Sequence, residues 1–191
     1  MQIWAGLGNP GANYSLHRHN VGFMAADVIA EAHDFSAWQK KFRSLTAEGR
    51  IGRNRILLLK PQVFMNLSGE AVAAALRFYK LDLDALTVFH DELDLAPMKV
   101  KVKVGGGTAG HNGLRSIDAH LGPDFRRVRI GIGHPGHKDK VTNYVLGNYA
   151  KSEMDALSDL LAAIAGEAQW LAEGEDARFM SEVALRLQDE R

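Results

Sequence analysis

Gln2-Ile3-Trp4-Ala5-Gly6-Leu7-Gly8-Asn9-Pro10-Gly11 is a short apolar run that breaks into a cluster of turn formers, and its reading decides the fold class. Residues 2–7 predict a buried strand, and Gly8 to Gly11 predict the turn that ends it. Val21, Met24, Ala25, Val28, Ile29 and Ala32 then recur at helical spacing, with Asn20 as the candidate N-cap. The order is therefore strand, long polar loop, helix. Residues 6–11 satisfy the G-x-G-x-x-G string of dinucleotide-binding folds. In those folds, however, the helix starts inside the glycine loop so that its amides meet the pyrophosphate. Here Pro10-Gly11 and a polar stretch delay the helix to about Asn20, so the string reads as a tight turn, or as one that presents Asn9 to a cleft.

The same alternation continues along the chain. Arg55 to Leu59 predicts a buried strand, Ser68 to Tyr79 a helix, and Leu86 to His90 a second buried strand that runs into Asp91-Glu92. From Met98 to Val104, Lys99, Lys101 and Lys103 alternate with apolar residues, the period-two pattern of a half-exposed strand with its lysines on one face. Gly105 to Gly107 predict a loop, Asn112 or Gly113 starts a short helix to about Leu121, and Arg127 to Ile132 predicts a strand. Two amphipathic helices, 152–171 and 176–187, close the chain. Strands alternating with helices predict an α/β fold in one domain over residues 1–191: a twisted mixed sheet, largely parallel, flanked by helices and ending in a helical C-terminal part. Ligands of such sheets sit beyond the carboxyl ends of the strands, so the loops after the first strand, Leu59, His90 and Val104 are expected to meet at the site.

The composition fits one well-cored domain: 191 residues, 46% hydrophobic and 24% charged. With no cysteine, disulfides, thiolate nucleophiles and cysteine-held metals are excluded, and the chain suits a reducing cytoplasm. Residues 1–11 carry no basic leader, and no apolar run approaches the ~20 residues that cross a bilayer, so no membrane association is expected. The net charge of zero hides an uneven distribution. Residues 95–150 carry 9 basic and 3 acidic side chains, whereas residues 151–191 carry 4 and 10. An electropositive face offset by an acidic helical flank would follow if the fold separates these segments in space.

Several chemistries can be weighed on the polar residues. The glycines from 105 to 110 lack the Lys-Ser or Lys-Thr of a Walker loop, and no Gly-x-Ser-x-Gly elbow occurs. His17, His19, His90, Asp91 and Asp94 could be assembled into a metal site, though scattered His and carboxylates commonly arise by coincidence. His19 lies in a loop, and Asp91 ends a buried strand. Should that carboxylate orient the imidazole, His19 becomes a general base for water, and nearby amides can bind a carbonyl and its developing oxyanion. Asn9, Asn66 and Asn112 all lie in the expected loops. A neutral side-chain amide offers a donor and an acceptor without competing with the base, but turns and caps use asparagine equally, and spacing alone leaves both roles open.

At these residues the sequence resembles the bacterial peptidyl-tRNA hydrolase family. The resemblance is carried by Gly6 to Gly11 with Tyr14 and Arg18-His19-Asn20-Val21-Gly22, and by Lys60-Pro61 with Phe64-Met65-Asn66-Leu67-Ser68-Gly69. His90-Asp91-Glu92-Leu93-Asp94, Gly105-Gly106-Gly107 with Gly110-His111-Asn112-Gly113-Leu114, and Arg129 to Gly136 complete it. Order and spacing agree to about Gly147, beyond which only a helical ending is shared. The resemblance implies a cytoplasmic, monomeric enzyme that needs no cofactor or metal and cleaves the ester between a peptide and the terminal ribose of tRNA. It implies His19 as catalytic base and Asp91 as its orienting partner. Asn9, Tyr14, Met65, Asn66 and Asn112 become substrate-binding residues, and Lys103 and Arg129 become the grip on the tRNA 5′ phosphate. Both cations fall in the basic segment. Two departures are His17, where the family usually has threonine, and Ala109, often glycine in relatives. The rival readings are a non-catalytic RNA-binding module on the lysine strand and a nucleotide-cofactor enzyme on the first glycine loop.

Overall fold

The computed structural model describes residues 1–189. Seven strands form one mixed sheet: β1 (Gln2–Gly6), β2 (Gln39–Lys41), β3 (Ser44–Ile51), β4 (Asn54–Pro61), β5 (Leu86–Glu92), β6 (Val100–Val104) and β7 (Arg126–Gly131), in the spatial order β2-β3-β4-β1-β5-β7-β6. The central β4, β1, β5 and β7 are parallel, and the antiparallel β3 with β2 and β6 close the two sides. The helices are α1 (Val21–Ala32), α2 (Ser68–Tyr79), α3 (Asn112–Leu121), α4 (Val141–Val145), α5 (Met154–Gly166), α6 (Ala168–Ala172) and α7 (Asp176–Asp189).

Alternate residues of the central strands enter two separate cores, as a sheet covered on both faces requires. Trp4, Ile56, Leu58, Phe89, Val128 and Ile130 pack with α1, α5, α6 and α7. Ile3, Ala5, Leu57, Leu59 and Val88 pack with α2 and α3 on the other face. The long delay before α1 has a steric purpose. A Cβ on Gly6 would stand 2.2 Å from the carbonyl oxygen of Gly22, and one on Gly22 would stand 2.3 Å from that of Phe89. Gly6 therefore lets the start of α1 touch the sheet backbone, which is a packing role and not a pyrophosphate cradle.

The structure departs from the sequence expectations in three places. Asn20 does not cap α1 with its side chain; it closes the Gly8–Gly11 turn, accepting from Asn9 N at 2.9 Å and donating to Asn9 O at 2.9 Å. The β2–β3 hairpin carried no readable signal, because β2 is fully exposed and its turn uses Phe42 and Arg43 at φ 55° and 52° instead of the usual Asn-Gly. The helix expected over 152–171 breaks after Gly166, where the Glu167 carboxylate accepts from Trp170 Nε1 at 2.9 Å and Arg186 Nε at 2.5 Å.

The charge imbalance does become spatial. Lys101 and Lys103 stand opposite Arg129 and Arg127 in the β6–β7 ladder, on the face turned toward α3. The acidic α5 to α7 lie across the other face, against Val102, Val128 and Ile130.

Candidate active site

A cleft of about 720 Å3 opens at the carboxyl ends of β1 and β5, where the expected loops meet. Asn9, His19, Met65, Asn66, Asp91, His111 and Asn112 all line it, together with Phe64 from the loop after β4 and Val141, Thr142, Val145 and Leu146 from the segment around α4.

At its floor the Asp91 carboxylate, 4% exposed, is held between two imidazoles. His19 Nδ1 is 2.8 Å from Oδ2, and His111 Nε2 is 2.8 Å from Oδ1. The neighbours fix the tautomers. His111 Nδ1 accepts from the Gly113 and Leu114 amides at the start of α3, so its proton sits on Nε2 and is donated to Asp91. His19 Nδ1–H donates to the other oxygen, which leaves the Nε2 lone pair of His19 free to accept a proton. Burial alone would depress the His19 pKa, but the charge and hydrogen bond of Asp91 outweigh it and raise the value above 6.5. Burial likewise opposes the Asp91 charge, yet His19 and His111 hold that carboxyl well below the usual range. His90 lies on the opposite face of β5, fully buried; burial and then His111 push it down to about 3, so it stays neutral. His111 was missed in the sequence as a member of this cluster. Its signal was positional, since a residue just before a helix that can accept from two amides must spend one ring nitrogen there and present the other elsewhere.

The asparagines divide by role. Asn9 Oδ1 accepts from Met65 N at 2.8 Å and ties the first turn to the loop after β4, so the amide is part scaffold and part cleft wall. Asn66 and Asn112 are exposed, the second as the first residue of α3, and both line the cleft. Met65 is buried beside Ser68, whose hydroxyl donates to Met65 O at 2.7 Å. Tyr14 is not brought to the cleft lining: it closes a short turn with its ring edge-on to His17 at 5.3 Å.

A smaller pocket of about 130 Å3 adjoins the cleft and contains Lys103 and Arg129, with Glu92, Asp94, His90 and Arg127. Arg129 Nε donates to Glu92 Oε1 at 2.9 Å, which aims the guanidinium. Arg127, another residue the sequence did not single out, is 1% exposed and donates to the backbone carbonyls of Gly106, Gly107 and Pro123. Its hydrogen bonds go to neutral acceptors only, and the pocket sets three cations, Lys103, Arg127 and Arg129, against two carboxylates, Glu92 and Asp94. Ala109 lies in the wall shared by the two cavities.

Of the residues that could have built a metal site, only His19 and Asp91 converge, with His111 added; one donor atom from each lies within 4.8 Å of the others. The set does not suit a metal in this arrangement. His111 Nε2 carries a proton and has no lone pair to give, and both nitrogen–oxygen distances are those of hydrogen bonds.

The chain is similar over nearly its whole length to known proteins. The family model described as peptidyl-tRNA hydrolase matches residues 3–190. A protein of Rhizorhabdus wittichii named peptidyl-tRNA hydrolase is 69% identical over 189 residues, covering 99% of this chain and all of that one. One of the same name from Sphingopyxis alaskensis is 70% identical over 188 residues, covering 98% of this chain and all of that one. The crystal structure of peptidyl-tRNA hydrolase from Acinetobacter baumannii superposes with a TM-score of 0.90 at 36% identity, covering 96% of this chain and 94% of that one.

Proposed function

The chain belongs to the peptidyl-tRNA hydrolase family and hydrolyses peptidyl-tRNA, and from that premise we propose how its residues do so. Water attacks the ester carbonyl between the peptide and the terminal ribose. His19 Nε2 takes the proton of that water and returns it to the departing ribose oxygen. Asp91 stabilises the imidazolium that forms, and His111 holds the second carboxylate oxygen so that the first stays on His19. The amides of Asn66 and Asn112, with Asn9 at the back wall, orient the peptide group and meet the developing oxyanion. Met65 and Phe64 supply apolar surface. Tyr14 lies outside the cleft lining and acts only through the turn it closes, where its carbonyl accepts from His17 N at 3.0 Å.

Lys103 and Arg129 receive the tRNA 5′ phosphate in the smaller pocket, with Arg127 fixing its floor. No residue in this scheme calls for a metal or cofactor. The protein acts as a cytoplasmic monomer, one domain over residues 1–191. Among the described residues no helix is long and apolar enough to cross a membrane. The observation that supports this reading most is the 2.8 Å contact of His19 Nδ1 with Asp91, which leaves Nε2 basic in the cleft. The test is cleavage of N-blocked aminoacyl-tRNA in EDTA by the wild type and by His19→Ala. Turnover by the wild type and a loss of about 10²- to 10⁴-fold in the variant are expected. Near-normal turnover in His19→Ala, or loss of wild-type activity in EDTA, rejects the scheme.

A further inference from the structure

Arg18 neighbours the base yet does not line the cleft, and nothing in the chemistry above uses it. Its side chain is only 14% exposed. All its contacts run to one place, the segment that continues from the cleft wall. Nη1 donates to Asn148 O at 2.9 Å, and Nη2 donates to Glu153 Oε1 at 2.9 Å. The guanidinium lies over the Tyr144 ring at 4.4 Å and beside that of Tyr149 at 5.6 Å. Its backbone N–H donates to Gly147 O at 3.0 Å. The flanking residues add to the seam: Tyr149 N donates to Leu16 O at 3.0 Å, and His17 pairs with Asn148 as an isolated antiparallel bridge.

The far side of the seam is itself braced. Tyr144 donates its hydroxyl to Ile132 O, just past β7, and Glu153 Oε1 also accepts from Ala150 N at 2.8 Å. Gly147 leaves the guanidinium its room, since a Cβ there would stand 3.4 Å from Nη1 and 3.1 Å from Asn143 O. Between Tyr144 and the strand end lie Val141 and Thr142, and beside Tyr144 lie Val145 and Leu146; these four form the cleft wall facing His19. A planar fork that stacks, donates twice and carries a fixed charge fits such a junction in a way that lysine, a point charge on a flexible stem, does not.

We propose that Arg18 is a positioning residue for the hydrolysis: it locks the wall of residues 141–153 to the His19 loop, so that the surface receiving the substrate and the base attacking its ester are held as one rigid unit. The proposal rests on His19 being the base. Only Glu153, at the far end of the seam, balances the Arg18 charge within 4 Å among the described residues. The charged and titratable groups that face His19 itself are Asp91, His111 and His17, and none of them is altered in the variants below.

The experiment measures kcat and KM on N-blocked aminoacyl-tRNA, the melting temperature, and the titration of the His19 ring by NMR. It uses Arg18→Lys, Glu153→Gln and Tyr144→Leu, with His19→Ala as reference. A displacement of the base by about 1 Å costs on the order of 10²-fold in rate. Arg18→Lys should therefore lose about 10- to 100-fold in kcat with KM within about threefold of wild type. Tyr144→Leu and Glu153→Gln should lose less, in the same sense. Glu153→Gln keeps an acceptor for Ala150 N and stays measurable if the arginine variant folds poorly. As its pairing with Asp91 loosens, the His19 titration should move down toward the ordinary 6.5. A drop in melting temperature with unchanged kcat and an unmoved His19 titration in all three variants overturns the proposal and leaves Arg18 a structural tie. Full turnover in His19→Ala overturns the base assignment first, and the proposal with it, so the two failures are distinguishable.

Discussion

Replacing Asp91 by Asn tests the centre of the site without changing its shape. The carboxylate accepts one hydrogen bond on each oxygen, each at 2.8 Å. The amide can accept on one side only and must turn its NH2 toward the other imidazole. His111 cannot yield, because its Nδ1 is already spent on two amides of α3. The NH2 therefore faces His19 and forces the proton of that ring onto Nε2, the nitrogen that should be free. The lost charge adds to this: at 2.8 Å and an effective dielectric constant near 20, the attraction between carboxylate and imidazolium has a ceiling of about 6 kcal/mol before desolvation. At about 1.4 kcal/mol per decade that ceiling corresponds to roughly 10⁴, so a loss of about 10²- to 10⁴-fold in kcat is expected.

The pH dependence carries a second sign. On the proposed scheme turnover needs neutral His19, so it should rise with pH through the raised folded pKa of that residue. Removing Asp91 leaves burial to act alone and moves this limb to lower pH. Stability follows by linkage. The raised His19 pKa adds stability below 6.5 that is lost as pH rises through the folded value, and the lowered Asp91 pKa adds stability above 3.8 that is lost as pH falls through its folded value. The melting-temperature gap between wild type and variant should thus be widest between about pH 4 and 6.5 and narrow at higher pH. His90, buried and neutral, opposes folding in acid in both proteins, and more in the variant, because the Asp91 charge that partly offsets its depressed pKa is gone. The assay is initial-rate ester cleavage from pH 5 to 9 with thermal melts on the same samples. Turnover of Asp91→Asn within threefold of wild type, with an unmoved acid limb, would refute the reasoning.

Lys103→Ala and Arg129→Ala should raise KM for full-length substrate, more at low salt than at high, and leave a minimal substrate lacking the 5′ phosphate unaffected; equal losses on both substrates would assign these residues to the fold. Ala109 sits at φ 48°, where an L side chain is strained by about 1 kcal/mol, so Ala109→Gly should raise the melting temperature by about 2 °C despite the looser unfolded chain, and a lower melting temperature would contradict this. Gly22→Ala would drive a Cβ to 2.3 Å from Phe89 O and 2.5 Å from Leu7 N, both backbone atoms, so the variant should express poorly or melt far below wild type; a near-native melt would mean that α1 can lift off the sheet.

The central parallel strands were legible because their apolar runs end abruptly in turn formers or charged residues, and α1 and α2 were legible by spacing. The β2–β3 hairpin was not, since Lys40, Lys41, Phe42 and Arg43 present neither alternation nor a turn residue; the turn is held instead by Phe42 against Phe78 and Tyr79 and by Arg43 paired with Glu70. In the site, His19, Asp91 and the three asparagines stood out as polar residues in loops that had to converge. His111 and Arg127 did not. The Arg127 guanidinium and the Nδ1 that orients His111 are both spent on backbone groups, the carbonyls of the glycine loop and the amides of α3, and a backbone partner leaves no side chain in the sequence to pair with. Arg18 stood out only within a motif, because its contacts lie about 130 residues away.

Asp91 and Glu92 are neighbours on β5, and the pleat sends them to opposite sides of the strand: Asp91 to the two imidazoles, Glu92 to Arg129. On the proposed reading, one peptide unit is the joint of a caliper whose jaws measure the two ends of a single tRNA acceptor arm, the esterified 3′ ribose in one and the 5′ phosphate in the other. The gap cannot be adjusted by moving a loop, because β5 is paired along both edges by β1 and β7. A one-residue insertion between the two would turn Glu92 onto the other face, away from the guanidinium it aims, while Arg129 stays opposite His90 in the β5–β7 ladder; the ester jaw would keep its geometry and the phosphate jaw would lose its aim.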